Sequence, residues 1–170
     1  MKTLIKAALA ATVATGLFAA PAFAAPNTDS ADFTAKAKIV KAVTLVKNFD
    51  LDFGTITMLS TLTSQTVTIG QDDTRDCGGT NLTCSFPTQA AATFTVTGVP
   101  TQALDVALVA PTDLDDGAGN LVAFRPDAPT VVTVAAGGTV DFGIGGEIDV
   151  VSATKDGLYS GDLTVTVTYQ

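Results

Sequence analysis

Leu163-Thr164-Val165-Thr166-Val167-Thr168-Tyr169, near the end of a chain of 170 residues, alternates large apolar side chains with threonine. Successive side chains of a strand point to opposite faces, so this period of two turns Leu163, Val165, Val167 and Tyr169 toward a core and the threonines toward water. A slip of one residue would expose the whole apolar set, which makes the register firm. Runs of similar texture precede it: Val43 to Phe53, Thr66 to Ile69, Thr93 to Val96, Ala103 to Val109, Leu121 to Phe124, Val131 to Val134, Thr139 to Ile144 and Ile148 to Val151. Turn signals separate them at Gly70, Gly98-Val99-Pro100, Asp115-Asp116-Gly117, Gly137-Gly138 and Asp156-Gly157. After the first 24 residues no segment sustains the 3.6-residue period of a helix. Short strands spaced this way indicate an all-β sandwich or barrel, with about seven to nine strands expected.

The chain opens differently. Lys2 and Lys6 flank an apolar run from Ala7 to Ala20, and Pro21-Ala22-Phe23-Ala24 closes it. A basic start, a short apolar stretch and an A-x-A site form a secretory signal peptide, with cleavage expected after Ala24. The run is shorter than the roughly 20 residues that span a bilayer, and no later segment offers a span, so no membrane insertion is expected. The exported product would have 146 residues and a net charge of −10, since two of the nine basic residues and none of the 17 acidic ones leave with the signal. Such acidity repels nucleic acid and anionic lipid, and it keeps a surface protein in solution. Periplasm, cell surface or medium are the expected locations.

There is no histidine and no tryptophan. Serine–histidine and cysteine–histidine catalysis is therefore excluded, along with the commonest metal ligand. Carboxylate pairs remain, but no tryptophan platform accompanies any of them, as a glycoside-binding site would require. Not an enzyme is the expectation, and no catalytic, cofactor-binding or metal-ligating residue is assigned. Asp113, Asp115, Asp116, Gly117 and Asn120 fail the calcium-loop spacing because Gly117 falls where the third ligand should be, so they read as a solvated hairpin turn. Asp72, Asp73 and Asp76 are read in the same way. Gly143-Ile144-Gly145-Gly146 does not open a helix and is read as a turn or bulge rather than a phosphate loop. Cys77 and Cys84, an even pair close in sequence and exported, are expected to form a disulfide; two thiolates without an imidazole make a poor metal site.

Phe33, Ala35, Ala37 and Ile39 alternate with Thr34, Lys36, Lys38 and Val40, and the phase continues to Val43 and Leu45. Lys41 interrupts the apolar face, so two strand segments are expected, the alternative being one long edge strand with a gatekeeper lysine. The division is then 1–24 signal peptide, 25–40 N-terminal extension and 41–170 sandwich domain.

The C-terminal string Asp156-Gly157-Leu158-Tyr159-Ser160-Gly161-Asp162 and the strand after it, with its penultimate tyrosine, resemble the terminal strand of chaperone–usher pilins and spore coat protein U-like pilins. Leu51-Asp52-Phe53-Gly54-Thr55-Ile56, Phe94-Thr95-Val96-Thr97-Gly98 and Thr139-Val140-Asp141-Phe142-Gly143-Ile144-Gly145-Gly146 resemble the bacterial domain-of-unknown-function 4402 family. The resemblance covers most of the exported chain and implies an immunoglobulin-like, pilin-like sandwich. The local Cys77–Cys84 pair departs from the bridge between two early strands found in many chaperone–usher pilins. Pilins of this kind lack the last strand of the sandwich, and an extension from a neighbouring subunit fills the groove by strand addition. The resemblance thus implies a subunit of a surface fibre, self-association or association with other pilin-like subunits, and a periplasmic chaperone. Phe33, Ala35, Ala37 and Ile39 are the candidate donor strand, and the chain is expected to supply no strand after Tyr169-Gln170. Folding of residues 33–39 onto their own domain stays open beside it. The competing function is a monomeric periplasmic or surface binding module, an adhesin or carbohydrate-binding sandwich. It should show aromatic residues on exposed loops, whereas only 6% of this chain is aromatic.

Overall fold

The computed structural model describes residues 29–59 and 63–170. The expected signal peptide, 1–24, lies outside the described residues, as do the first four residues of the extension. The chain divides into two units, Met1–Ala37 and Lys38–Gln170. The described part of the first, residues 29–37, carries no strand and its side chains are exposed.

The second unit is all-β, with twelve strands and no helix among its described residues: β1 (Thr44–Phe49), β2 (Thr55–Met58), β3 (Ser64–Ile69), β4 (Arg75–Asp76), β5 (Leu82–Ser85), β6 (Ala92–Thr97), β7 (Ala103–Val109), β8 (Asp113–Asp115), β9 (Leu121–Asp127), β10 (Val131–Thr133), β11 (Thr139–Val151) and β12 (Thr164–Tyr169). The expected seven to nine rise to twelve because β2, β4, β5 and β8 have only two to four residues, too few to display a period. The strands expected over 33–43 are not formed: residues 29–43 carry no strand and β1 begins at Thr44.

All pairings are antiparallel. One sheet runs β1-β6-β11-β3-β4, with β9 also on β11 and β8 on β9; a second runs β10-β7-β12; β2 and β5 form a two-stranded ribbon. β11 is the spine, pairing through Thr139–Ile144 with β6 and then through Gly146–Val151 with β3. β1-β6-β11 and β10-β7-β12 enclose a sandwich core of Phe94, Val96, Leu104, Val132, Val134, Phe142, Ile144 and Val167. Phe94 and Phe142 stack there with ring centroids 5.4 Å apart. Further along β11, Val67, Leu82, Val122, Phe124, Ile148 and Val150 make a second cluster beside the β2–β5 ribbon. Leu51 packs against both clusters and against a third, formed by Ile69, Ala90 and Ala91.

Gly143-Ile144-Gly145-Gly146 corrects the turn or bulge reading, for these residues lie inside continuous β11 and join the two runs read on either side. A Cβ on Gly143 would sit 1.9 Å from the Gln71 carbonyl oxygen, and one on Gly145 2.0 Å from that of Ile69. The main chain leaving β3 occupies the space of the missing side chains. Glycine here serves close approach rather than a change of direction.

Cys77 and Cys84 are disulfide-bonded, with Cα atoms 5.8 Å apart, and pack against the second cluster. Nearby, Asp73 adopts φ 66° and its Oδ1 accepts the N–H groups of Ala90 and Ala91 at 2.9 and 2.8 Å. Its other oxygen pairs with Arg75, which also donates to the Thr88 carbonyl. Burial opposes ionisation of Asp73, but the hydrogen bonds from Ala91, Arg75 and Ala90 outweigh it and hold the carboxyl below its usual range.

Candidate functional site

The alternation of the last strand places Val167 in the sandwich core, with Val165 and Tyr169 half-buried against it, while Leu163 packs on the second cluster. The threonines Thr164, Thr166 and Thr168 are exposed. Tyr169 also anchors a neighbouring loop, for its hydroxyl oxygen accepts the Val99 N–H at 2.9 Å, and a Cβ on Gly98 would lie 2.9 Å from that oxygen. The glycine closing the Phe94–Gly98 segment therefore makes room for the penultimate tyrosine.

Each sheet has an unsatisfied edge on the same side of the sandwich. β12 pairs with β7 along one edge, and β1 with β6 along one edge; neither has a second ladder partner among the described residues. Leu45 of β1, Val165 of β12 and Leu163 just before β12 line one cleft of about 810 Å³, which reaches down to Phe94, Ile144 and Phe124. A backbone edge beside an apolar floor is a template for another strand.

The segments singled out in the sequence converge on this cleft. Leu51, Asp52, Phe53, Gly54 and Ile56 form part of its wall, Phe94 and Ile144 come from the next two segments, and Gly157 to Val165 supply the turn and last strand. Asp52 Oδ1 accepts the Gly54 N–H at 2.7 Å, and Gly54 has φ 68°, a conformation that favours glycine. This tight turn points Phe53 at Phe124, edge to face at 6.2 Å. Met58 also lines the cleft. Sequence reasoning misses it, because β2 is four residues long and its one signal is the alternation of Ile56 and Met58 with threonine.

The rim is charged. Lys47 pairs with Asp50 at 2.6 Å, while Asp52, Asp156 and Asp162 are exposed and in no ion pair among the described residues. The acidic turn beyond Leu114 begins later than expected: Asp113–Asp115 is strand, and Asp116–Asn120 makes the turn of the β8–β9 hairpin. Asp116 Oδ1 accepts the N–H groups of Ala118 and Asn120, and Asn120 Nδ2 donates to Oδ2 at 2.6 Å. The bond from Asn120, then that from Ala118, holds its carboxyl below the usual range. No group of three or more cysteine and carboxylate side chains is placed to hold a metal ion among the described residues.

Of the candidate donor residues, Phe33 and Ile39 are 92% and 94% exposed, and Ala35 and Ala37 are exposed.

An all-β sandwich whose two edge strands flank an unfilled apolar cleft is the class that the fold and site define. Residues 43–169 match the family described as domain of unknown function 4402, and the chain belongs to that family. No curated protein and no solved structure matches it.

Proposed function

We propose that this protein is a secreted structural subunit of a bacterial surface fibre or pilus-like assembly, not an enzyme, and that it polymerises by β-strand addition in the periplasm or at the cell surface. The observation that carries this reading is the cleft between β1 and β12, apolar at its floor and bounded by two strands each paired on one edge only among the described residues. An inserted strand would satisfy both edges and cover the floor together. Residues 33–39 match that need in length and pattern: four apolar positions in seven residues, as in Leu163 to Tyr169. They carry no strand of their own, and Phe33 and Ile39 are almost wholly exposed. Burial of these two side chains would contribute about 3–6 kcal/mol before the cost of ordering. The immunoglobulin-like, pilin-like identity of the sandwich and the need for a periplasmic chaperone belong to the same proposal. Until the cleft is filled it is an aggregation-prone edge that a holding partner would cover.

The test compares the chain starting at Ala25 with one starting at Lys41, by size analysis in about 0.5 M salt, where surface charges are screened. Multimers should form with the first and not the second. Phe33→Asp and Ile39→Asp should lose them too, because either change sets a carboxylate into the apolar floor. Lys36→Asp, on the opposite face, should retain them at this salt concentration. An unchanged monomer throughout would favour the binding module, and equal effects from all three substitutions would sink the inserted strand.

A further inference from the structure

Residues 33–41 carry Lys36, Lys38 and Lys41 and no acidic residue, whereas residues 42–170 carry four basic and 15 acidic side chains. In an extended strand with Phe33, Ala35, Ala37 and Ile39 facing the floor, Lys36 and Lys38 face outward at the mouth. Asp52, Asp156 and Asp162 stand there, exposed and in no ion pair among the described residues. Among the described residues lining the cleft, Lys155 is the one cation outside an ion pair, since Lys47 is held by Asp50.

We infer that the occupant of the cleft is the basic segment 33–41 of a second copy of this chain, and that Lys36 and Lys38 set its specificity by pairing with the Asp52, Asp156 and Asp162 rim. This rests on the strand-addition reading and adds to it a rule for partner choice. Exposed lysine–aspartate pairs add little affinity each. Their effect lies in encounter: a basic strand approaching an acidic mouth is drawn in, and an acidic strand of the same apolar pattern is turned away. Homotypic assembly is the result, because the two halves of the code are on one polypeptide.

The test follows the rate at which labelled chain, starting at Ala25, enters assemblies at about 20 mM and about 500 mM salt. The native rate should fall about tenfold between the two. The double variant Lys36→Glu/Lys38→Glu, altered only at exposed positions and so expected to fold, should be as slow at low salt as the native chain at high salt. Mixing it with a copy carrying Asp156→Lys and Asp162→Lys, which leaves the Asp52 turn intact, should restore the low-salt rate. Should the native rate be flat with salt and the lysine reversal be without effect while Ile39→Asp still abolishes assembly, charge selection is wrong and strand addition stands. If Ile39→Asp also changes nothing, or the product is a monomer at every concentration, the cleft is not filled by a second copy and both ideas fall.

Discussion

Gly145→Ala puts the account of β11 to a direct test. The added methyl would lie 2.0 Å from the Ile69 carbonyl oxygen and 2.8 Å from the carbonyl carbon of Gly70, both main-chain atoms that no rotamer change can move. The crossing backbone would have to retreat by about 1.5 Å to reach ordinary contact distance. That retreat disturbs the Gly146–Ile69 pairing. Leaving one or two buried backbone groups unsatisfied costs about 1–3 kcal/mol each, so the variant should lose about 3–5 kcal/mol. For a domain of this size each kcal/mol moves the thermal midpoint by about 4 °C, giving a fall above about 10 °C. Gly137→Ala is the control, because nothing lies within 4 Å of its Cβ position and its φ is not positive. Its midpoint should be unchanged or slightly raised. Differential scanning calorimetry of the two beside the native chain decides the matter. If Gly145→Ala melts with the control, the glycines are not there for close approach.

Three further expectations concern stability. Arg125 donates to Asp149 at 2.6 and 3.0 Å and Thr66 at 2.7 Å; these bonds, Arg125 first, hold the carboxyl at about 2, below its ordinary 3.8. A depressed folded-state value contributes stability above about pH 4 that is lost as pH falls toward 2. Discounted for exposure, Asp149→Asn should cost about 1 kcal/mol at pH 7, and the gap from native in urea titrations should close near pH 2. Asp73→Ala leaves the N–H groups of Ala90 and Ala91 without their acceptor, so a loss of about 3 kcal/mol is expected, with Asp73→Asn much milder because asparagine keeps an acceptor and tolerates positive φ; equal midpoints for the two would contradict this. Removing the Cys77–Cys84 bridge with two serines should cost about 2 kcal/mol, and reductant should lower the native midpoint to that of the variant while leaving the variant where it was.

The sequence revealed what local patterning encodes. In β12 threonine marks the wet face so regularly that the inward set could be named residue by residue, and the disulfide followed from an even count of two cysteines close in sequence and the expectation of export. What it concealed was non-local. Gly143 and Gly145 resemble turn residues because the reason for them, the chain leaving β3, lies some seventy residues away. Asp73 looked like one more solvated carboxylate, yet it serves as an acceptor for two N–H groups 17 and 18 residues further on. One border of the cleft was legible in the alternation of the last strand. Its other walls were not, since Leu51 and Phe53 appeared to continue the first strand, whereas they follow its end at Phe49 and pack where the hydrophobic clusters meet.

The two ends of β12 are held unequally. At its far end the Tyr169 hydroxyl takes the Val99 N–H, Gln170 Nε2 reaches Asp105 at 2.6 Å and the Gln170 N–H meets the Ala103 carbonyl. At its near end Leu163 and Val165 border open space. The far end is thus tied to a loop, to a side chain of β7 and to its main chain at once, so it acts as the pin that sets the register of every residue along the strand.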